Sequence, residues 1–329
     1  MTEFASSSVR QPVLDRPTRA FVDRHPCPPS AYNEDPVQAR LTLARLQGDD
    51  DPLDEEATST EWFTLPCGPT GEVRVKVVRP IDSVGVIPVV LFLHGLGWVL
   101  GDADTHERLV KAFALGTDAA VVFVDYERAP EAQYPVAVEQ CYAVAKWISE
   151  RGAEIGLDGS RMAAVGDSAG GNLVAALTLL AKERGGVRLV QQVLLCPVTD
   201  ADFDTPSYLQ FAKGYFLGRE TMRWFWDQYL PDVRRRNEAT ASPLQASVEQ
   251  LTGLPPALVL TSEADVVRDE GEAYAAKLRA AGVAVVSMRY HGTIHGFMVL
   301  DPLRDTDAAR AALVQALDTV HVALHRHRG

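Results

Sequence analysis

MAAVGDSAGGNLVAALTLLAKE, residues 162–183, reads as a strand, a tight turn and a helix in direct succession. Met162 to Val165 is a short apolar run of strand character. Asn172 to Glu183 repeats apolar residues at helical spacing. Between them stands Gly166-Asp167-Ser168-Ala169-Gly170-Gly171-Asn172, which contains G-x-S-x-G. A serine on a sharp strand-to-helix turn holds its oxygen clear of the backbone, and such a turn is crowded. Gly166 and Gly170 lie two positions either side of Ser168, where a side chain would collide with the turn. Gly171 lets the helix lie close to the sheet. The helix N-terminus offers unpaired N–H groups and a positive dipole end, with the Ala169 N–H as a candidate donor to a developing oxyanion. A plain structural turn with a surface serine is the competing reading. The buried strand before it and the amphipathic helix after it favour the nucleophile.

Working outward, Gly71 to Pro80 alternates apolar and polar residues as a half-buried strand does. Ile87 to Leu93, Ala119 to Val124, Gln192 to Cys196 and Ala257 to Leu260 are apolar runs, as in strands buried on both faces. Val283 to Tyr290 completes the set. Helical stretches lie at Glu107–Leu115, Pro135–Arg151, Glu270–Ala281 and Asp305–His325. Strands separated by helices predict an α/β fold, a mostly parallel sheet with helices on both faces. In such sheets ligands bind at the carboxyl ends of the strands, so the loops after the strands carry the search.

After Ile87–Leu93 comes His94-Gly95-Leu96-Gly97-Trp98. A glycine-rich loop there can turn backbone N–H groups toward an oxyanion. Gly95, Leu96 and Gly97 join Ala169 as candidate donors, and the sequence does not choose among the three. His94 reads as a supporting hydrogen-bonding residue. After Ala257–Leu260 four acids compete. Asp265 lies early in the loop and is the first choice, Glu263 the second. Asp269 and Glu270 read as first-turn acids of the next helix. After the last strand, His295 is the candidate base and His291 its competitor. His321, His325 and His327 read as solvated. Ser168 would attack a carbonyl carbon, His295 take its proton, and Asp265 orient the imidazole.

The chain has 329 residues, 47% hydrophobic and 23% charged, which excludes a wholly disordered protein. Four cysteines (Cys27, Cys67, Cys141, Cys196) are too sparse for a disulfide scaffold and lack metal-ligand spacing. They read as reduced structural thiols. A net charge of −12 opposes binding to nucleic acid or anionic membrane. No apolar run is long enough to span a bilayer, and Met1 to Asp15 lacks the pattern of a secretory signal. A cytoplasmic protein is the expectation. Residues 1–60 read as an N-terminal arm forming part of a cap, with a short helix at Pro36–Leu46 and an acidic linker at Gly48–Glu56. Residues 61–202 and 245–329 form the two parts of the core. Residues 203–244, with nine aromatics between Phe203 and Tyr229, read as a cap insertion. Those aromatics either form a small core of their own or line an apolar pocket.

The chain resembles the hormone-sensitive-lipase-like branch of the α/β-hydrolases, which includes many bacterial carboxylesterases. HGLGW at 94–98, DYERAPE at 125–131, GDSAGGN at 166–172, RDEGEAY at 268–274 with the Asp265 loop before it, and HGTIHGF at 291–297 carry the resemblance. The order Ser168, Asp265, His295 is the one expected for α/β-hydrolases. The resemblance implies an eight-stranded sheet, a helical cap and hydrolysis of a small-molecule carboxylic ester without metal or organic cofactor, with an esterase on small to medium acyl chains as the leading expectation. It also implies a possible homodimer. Two departures stand out. The family's HGGG here has Leu96 as its middle residue, and N–H donation survives a leucine if φ is negative there. The family's Asp-Pro-Leu here reads Asp265-Val266-Val267, which loses the proline's stiffness. Lactone or amide hydrolysis with the same triad is the alternative, and a non-catalytic receptor on this fold the different-class one.

Overall fold

The computed structural model describes residues 11–25, 35–47 and 57–326. The acidic stretch at 48–56, Cys27 and His327 lie outside the described residues. Of the N-terminal arm, helices α1 (Arg16–Arg24) and α2 (Pro36–Ala44) are described. The core then runs β1 (Thr58–Leu65), β2 (Val73–Pro80), β3 (Ile87–Leu93), α3 (Glu107–Thr117), β4 (Ala120–Asp125), α4 (Val136–Arg151), β5 (Leu157–Asp167), α5 (Ala169–Arg184) and β6 (Gln191–Leu195). Residues 203–244 carry α6 (Pro206–Gln210) and α7 (Arg219–Tyr229). A single turn α8 (Val248–Leu251) leads to β7 (Ala257–Ala264), α9 (Arg268–Ala280), β8 (Val285–Ile294) and α10 (Asp307–His325).

The eight strands form one sheet in the order β1-β2-β4-β3-β5-β6-β7-β8. Only β2 runs against the rest, pairing antiparallel with β1 and β4. The apolar runs that mark the strands follow from burial on both sides. Val89 to Leu93 and Met162 to Val165 are fully buried. Helices α3 and α10 pack on each other and cover one face, while α4, α5 and α9 cover the other. The eight-stranded, mostly parallel α/β-hydrolase sheet is therefore present.

Three differences from the sequence reading have physical causes. Strand β1 went unread because it is an edge strand, buried only at its two ends, and so has no alternating pattern. Its Trp62 lies under the Arg74 guanidinium, 4.5 Å from the ring centroid. Helix α1 was hidden in a stretch read as proline and charge. Asp15 caps it by accepting the Thr18 N–H at 2.8 Å, and Pro17 stands in its first turn. The third concerns α2. Of the apolar residues read there, Leu43 is buried and Leu46 packs against the core, but Val37 and Leu41 stay 52% and 49% exposed, so only part of the stripe holds the segment down. Arg40 does much of that work. It donates to the carbonyls of Val99 (2.8 Å) and Ala129 (3.0 Å) and grips Glu131 with both terminal nitrogens. Just beyond the helix, Gln47 donates to the carbonyls of Thr105 (2.8 Å) and Val299 (3.2 Å).

The aromatics of 203–244 do not form a separate core. Trp98, from the glycine loop after β3, stacks on Tyr229 at 4.2 Å and meets Trp226 edge-on at 5.0 Å. Phe216 packs against Phe21 of α1 at 5.3 Å. The 203–244 segment thus sits over the loop that follows β3 and against the N-terminal arm.

Helix α5 is pressed against the end of β3. A Cβ at Gly170 would stand 1.8 Å from the Leu93 carbonyl oxygen. Urea unfolding of Gly170→Ala is expected to show a loss of about 3 kcal/mol or more. Gly185→Ala meets nothing within 4 Å, although its φ is +70°. With ψ −171° that φ lies in a region almost confined to glycine, so it should cost about 1–2 kcal/mol through backbone strain alone. Equal losses at the two positions would refute this account of the α5 contact.

Candidate active site

Ser168 sits between the last residue of β5 and the first of α5 with φ +52° and ψ −116°. That conformation is sparsely populated for an L-residue and costs about 1–3 kcal/mol. Backbone contacts hold it there. The Ser168 N–H donates to the Leu195 carbonyl (2.8 Å), and the Ser168 carbonyl accepts from Asn172 and Val198, both at 3.1 Å. A Cβ at Gly166 would lie 2.4 Å from Gly170 backbone atoms, so neither end of the turn tolerates a side chain. Gly171 instead faces the loop after β6, with Pro197 2.9 Å from a would-be Cβ.

The serine oxygen stands 2.9 Å from His295 Nε2, and His295 Nδ1 stands 2.8 Å from Asp265 Oδ2. The residues are 6%, 7% and 1% exposed in the order Ser168, His295, Asp265. The carboxylate is fully engaged: Oδ2 also accepts from Ser262 Oγ (2.8 Å), and Oδ1 accepts the Val267 N–H (3.1 Å). An acceptor facing Nδ1 puts the ring proton there and leaves Nε2 free to accept the serine proton. The turn bond from Val267, with Val266 and Val267 both buried, supplies the stiffness expected of the missing proline.

The competing candidates pair with each other. Glu263 accepts the Gly292 N–H (2.8 Å) and lies 3.2 Å from His291, which is 72% exposed. Asp269 and Glu270 occupy the first turn of α9, as read. Asp269 accepts from the Ser207 N–H, and Glu270 points into the core to accept from Thr199 (2.7 Å) and Asp200 (3.2 Å). Burial pushes the Glu270 carboxyl well above the usual range.

His94 is buried and stacked between Tyr126 (4.2 Å) and Phe123 (5.2 Å). Burial first, then His106 and Arg128, push its pKa well below the ordinary value, so it is neutral. Its carbonyl accepts the Tyr126 hydroxyl at 2.8 Å. In the loop that follows, Leu96, Gly97 and Trp98 have φ of +67°, +69° and +61°. Leu96 therefore does not meet the condition of a negative φ; it takes the left-handed φ open to glycine, so its N–H keeps the direction a glycine would give it there. The loop curls through three left-handed residues, and Leu96 and Trp98 bear a cost of about 1–2 kcal/mol each. The Leu96 carbonyl accepts the Leu100 N–H (3.0 Å), and the Trp98 ring is locked by Tyr229. The Gly95 N–H is already committed, donating to Asp167 Oδ1 at 3.0 Å. Reasoning from sequence missed Asp167 as a partner of this loop. It is the variable residue of G-x-S-x-G, and nothing nearby in sequence shows what it faces.

Cys196, Asp265 and His295 bring ligand-type atoms within 4.8 Å of one another. Both His295 nitrogens and both Asp265 oxygens have partners, and burial pushes the Cys196 thiol up to about 12. That donor set is a hydrogen-bonded relay beside a neutral thiol. The crevice at Ser168 is lined by Leu195, Cys196, Gly296, Phe297, Met298 and Val299 and is narrow, about 10 Å³. Three roomier clefts hold neither Ser168 nor His295. One is lined by Arg40, Arg74, Asp125 and Gln140, another by Arg161, Leu254, Val322 and Leu324, and the third by Leu179, Lys182, Thr240 and Gln250.

A buried serine–histidine–aspartate relay on a strand-to-helix turn of this sheet defines a serine hydrolase of α/β-hydrolase architecture. The alpha/beta hydrolase fold family matches the chain over residues 90–299. The chain belongs to that family, in its hormone-sensitive-lipase-like branch. It is similar to carboxylesterase NlhH of Mycobacterium tuberculosis, 35% identical over 97% of this chain and 98% of that one. A thermostable esterase from Pseudomonas putida superposes with a TM-score of 0.91 and 44% identity, covering 97% of this chain and all of that one. A fungal esterase from Rhizomucor miehei gives 0.88 and 36%, covering 97% and 100%.

The strain at Ser168 is open to measurement. Ser168→Gly should raise the unfolding free energy by about 1–2 kcal/mol, because glycine enters that region of φ/ψ without penalty. A variant no more stable than the parent would show that the turn is unstrained.

Proposed function

We infer that the chain is a carboxylesterase acting on esters with compact acyl groups through an acyl-enzyme on Ser168. The observation that carries this reading is the buried run Asp265–His295–Ser168, closed at 2.8 and 2.9 Å. Ser168 Oγ attacks the ester carbonyl carbon while His295 Nε2 takes its proton. Asp265 holds the Nδ1–H and stabilises the imidazolium. The proton passes to the leaving alcohol. Water, deprotonated by His295, then adds to the acyl carbon and the acid departs with Ser168 restored. No step calls for a metal or organic cofactor.

The oxyanion donors narrow to Leu96, Gly97 and Ala169. Among the described residues no backbone acceptor takes up these three N–H groups, whereas that of Gly95 is held by Asp167. Substrate size follows from the cleft. The space beside Ser168 is a narrow crevice walled by apolar Leu195, Phe297, Met298 and Val299, which favours short acyl chains over long ones. The 203–244 segment, seated over the loop after β3, acts as a cap together with the N-terminal arm. No helix among the described residues is long and apolar enough to cross a membrane. The free thiols of Cys67, Cys141 and Cys196 suit a reducing cytoplasm. Strand β8 at the end of the sheet, with Val286 and Met288 exposed, is where a second copy would pair in a homodimer.

Across p-nitrophenyl esters, kcat/KM is expected to peak between acetate and butyrate and to fall at least about tenfold by decanoate. Ser168→Ala and Asp265→Asn should each lower kcat by about 10³–10⁴-fold. A profile rising toward decanoate would overturn the compact-acyl reading, and an inert wild type would overturn ester hydrolysis itself.

A further inference from the structure

Behind the glycine loop lies a buried polar chain that the mechanism above does not use. Asp167 is 5% exposed, and its Oδ1 receives the Gly95 N–H at 3.0 Å. The same oxygen stands 3.3 Å from Nε2 of His106, which is 1% exposed and caps α3. The approach lies outside hydrogen-bond geometry, so Nε2 has this charged neighbour but no hydrogen-bond partner among the described residues. A bare ring lone pair facing a buried carboxylate would be repulsive, so the proton sits on Nε2. The other nitrogen allows this. Nδ1 lies 3.1 Å from Thr105 Oγ1 and 3.2 Å from the Asp102 carbonyl. When the ring is neutral the Thr105 hydroxyl turns from the Asp102 carbonyl, its acceptor at 3.0 Å, to donate to Nδ1, and when the ring is charged the two oxygens accept from Nδ1–H. Both forms keep the Nε2–H toward Asp167. The ring is fixed by Phe92 and His94, with centroids at 6.0 and 5.6 Å.

The far end of this chain is the glycine loop. A Cβ at Gly95 would lie 2.1 Å from Asp167 Oδ2, so the loop backbone is pressed onto the carboxylate. The next two peptide N–H groups are those of Leu96 and Gly97. We propose that His106 is a positioning residue for the oxyanion loop. It holds the Asp167 carboxylate, which anchors the Gly95 amide and so aims the Leu96 and Gly97 N–H groups at the substrate oxygen. This rests on the esterase reading of the same site.

The test compares His106→Leu, which fills the space without a donor, with His106→Gln, whose amide N–H can reach Asp167. Butyrate ester turnover is normalised to active sites titrated to completion with a fluorophosphonate. The Leu variant should lose about 10–100-fold in kcat, a part of what a whole oxyanion donor contributes, with KM changed less than about threefold. The Gln variant should recover to within about fivefold of wild type. A Leu variant that keeps wild-type kcat, or a Gln variant no better than Leu, overturns the proposal. So does a loss confined to the number of titratable sites. A ¹⁵N-histidine spectrum of the wild type reads the Nε2 proton of His106 directly, and a bare Nε2 also overturns it. That reading needs no turnover, so an enzyme inert to esters would fail the esterase reading while the spectrum still decides His106.

Discussion

The approach of α5 to the end of β3 is the constraint on which the rest of the site depends. Gly170 sits where any side chain would strike the Leu93 carbonyl, and Gly166 and Gly170 face each other across the turn. Because the helix comes so near, Ser168 has no room for ordinary strand or helix dihedrals and is held at φ +52°. The same closeness puts the first residue of α5, with its uncommitted N–H, beside the loop that β3 feeds. One packing distance thus sets the nucleophile's exposure and the place where negative charge can be received. Thirteen consecutive residues of α5, Ala169 to Ala181, are buried, so the helix has little freedom to relieve the strain by shifting.

The relay assembles from loops far apart in sequence because parallel strands deliver their carboxyl ends to one edge. β5 brings Ser168, β7 brings Asp265 and β8 brings His295. Each loop is then tied from behind. Ser262 and the Val267 N–H fix the acid, Asp167 fixes the glycine loop, and Trp98 is locked under Tyr229. Arg108 donates to the Met298 carbonyl and pairs with Asp301, which restrains the loop that carries His295 and the cleft wall. Side chains remote from the chemistry therefore set its geometry.

Much of this was legible in the sequence, for identifiable reasons. β3 was read over the same residues the structure gives it, because a strand buried on both faces is apolar throughout. Ser168, His295 and Asp265 were readable because each follows a strand and carries a distinctive group. What escaped reading depends on partners distant along the chain. The edge strand β1 has no buried face to print a period. The apolar stripe read for α2 is packed at Leu43 and Leu46 only, and Arg40 and Gln47 hold this segment through carbonyls that no local pattern announces. The positive φ of Leu96 belongs to a loop whose next two residues are pressed on the distant 203–244 segment, Gly97 on Phe225 and Trp98 on Tyr229. Asp167, between a glycine and a serine, gives no hint that it faces Gly95 and His106.

The anchoring of Gln47 bears on when the molecule becomes whole during synthesis. Its side chain meets Thr105 and also Val299, with Asp301 donating back to it. An element that precedes β1 thus acquires its last partners only after the segment that follows β8 has left the ribosome. Until then β8 is missing, His295 has no strand to carry it, and the arm has nothing to close against at that end. The nascent chain carries its serine on a turn it can already form, but no base to activate it. Completion of the C-terminal strand switches the site on and seats the arm together, so a ribosome-bound or C-terminally shortened chain presents the elbow without the relay.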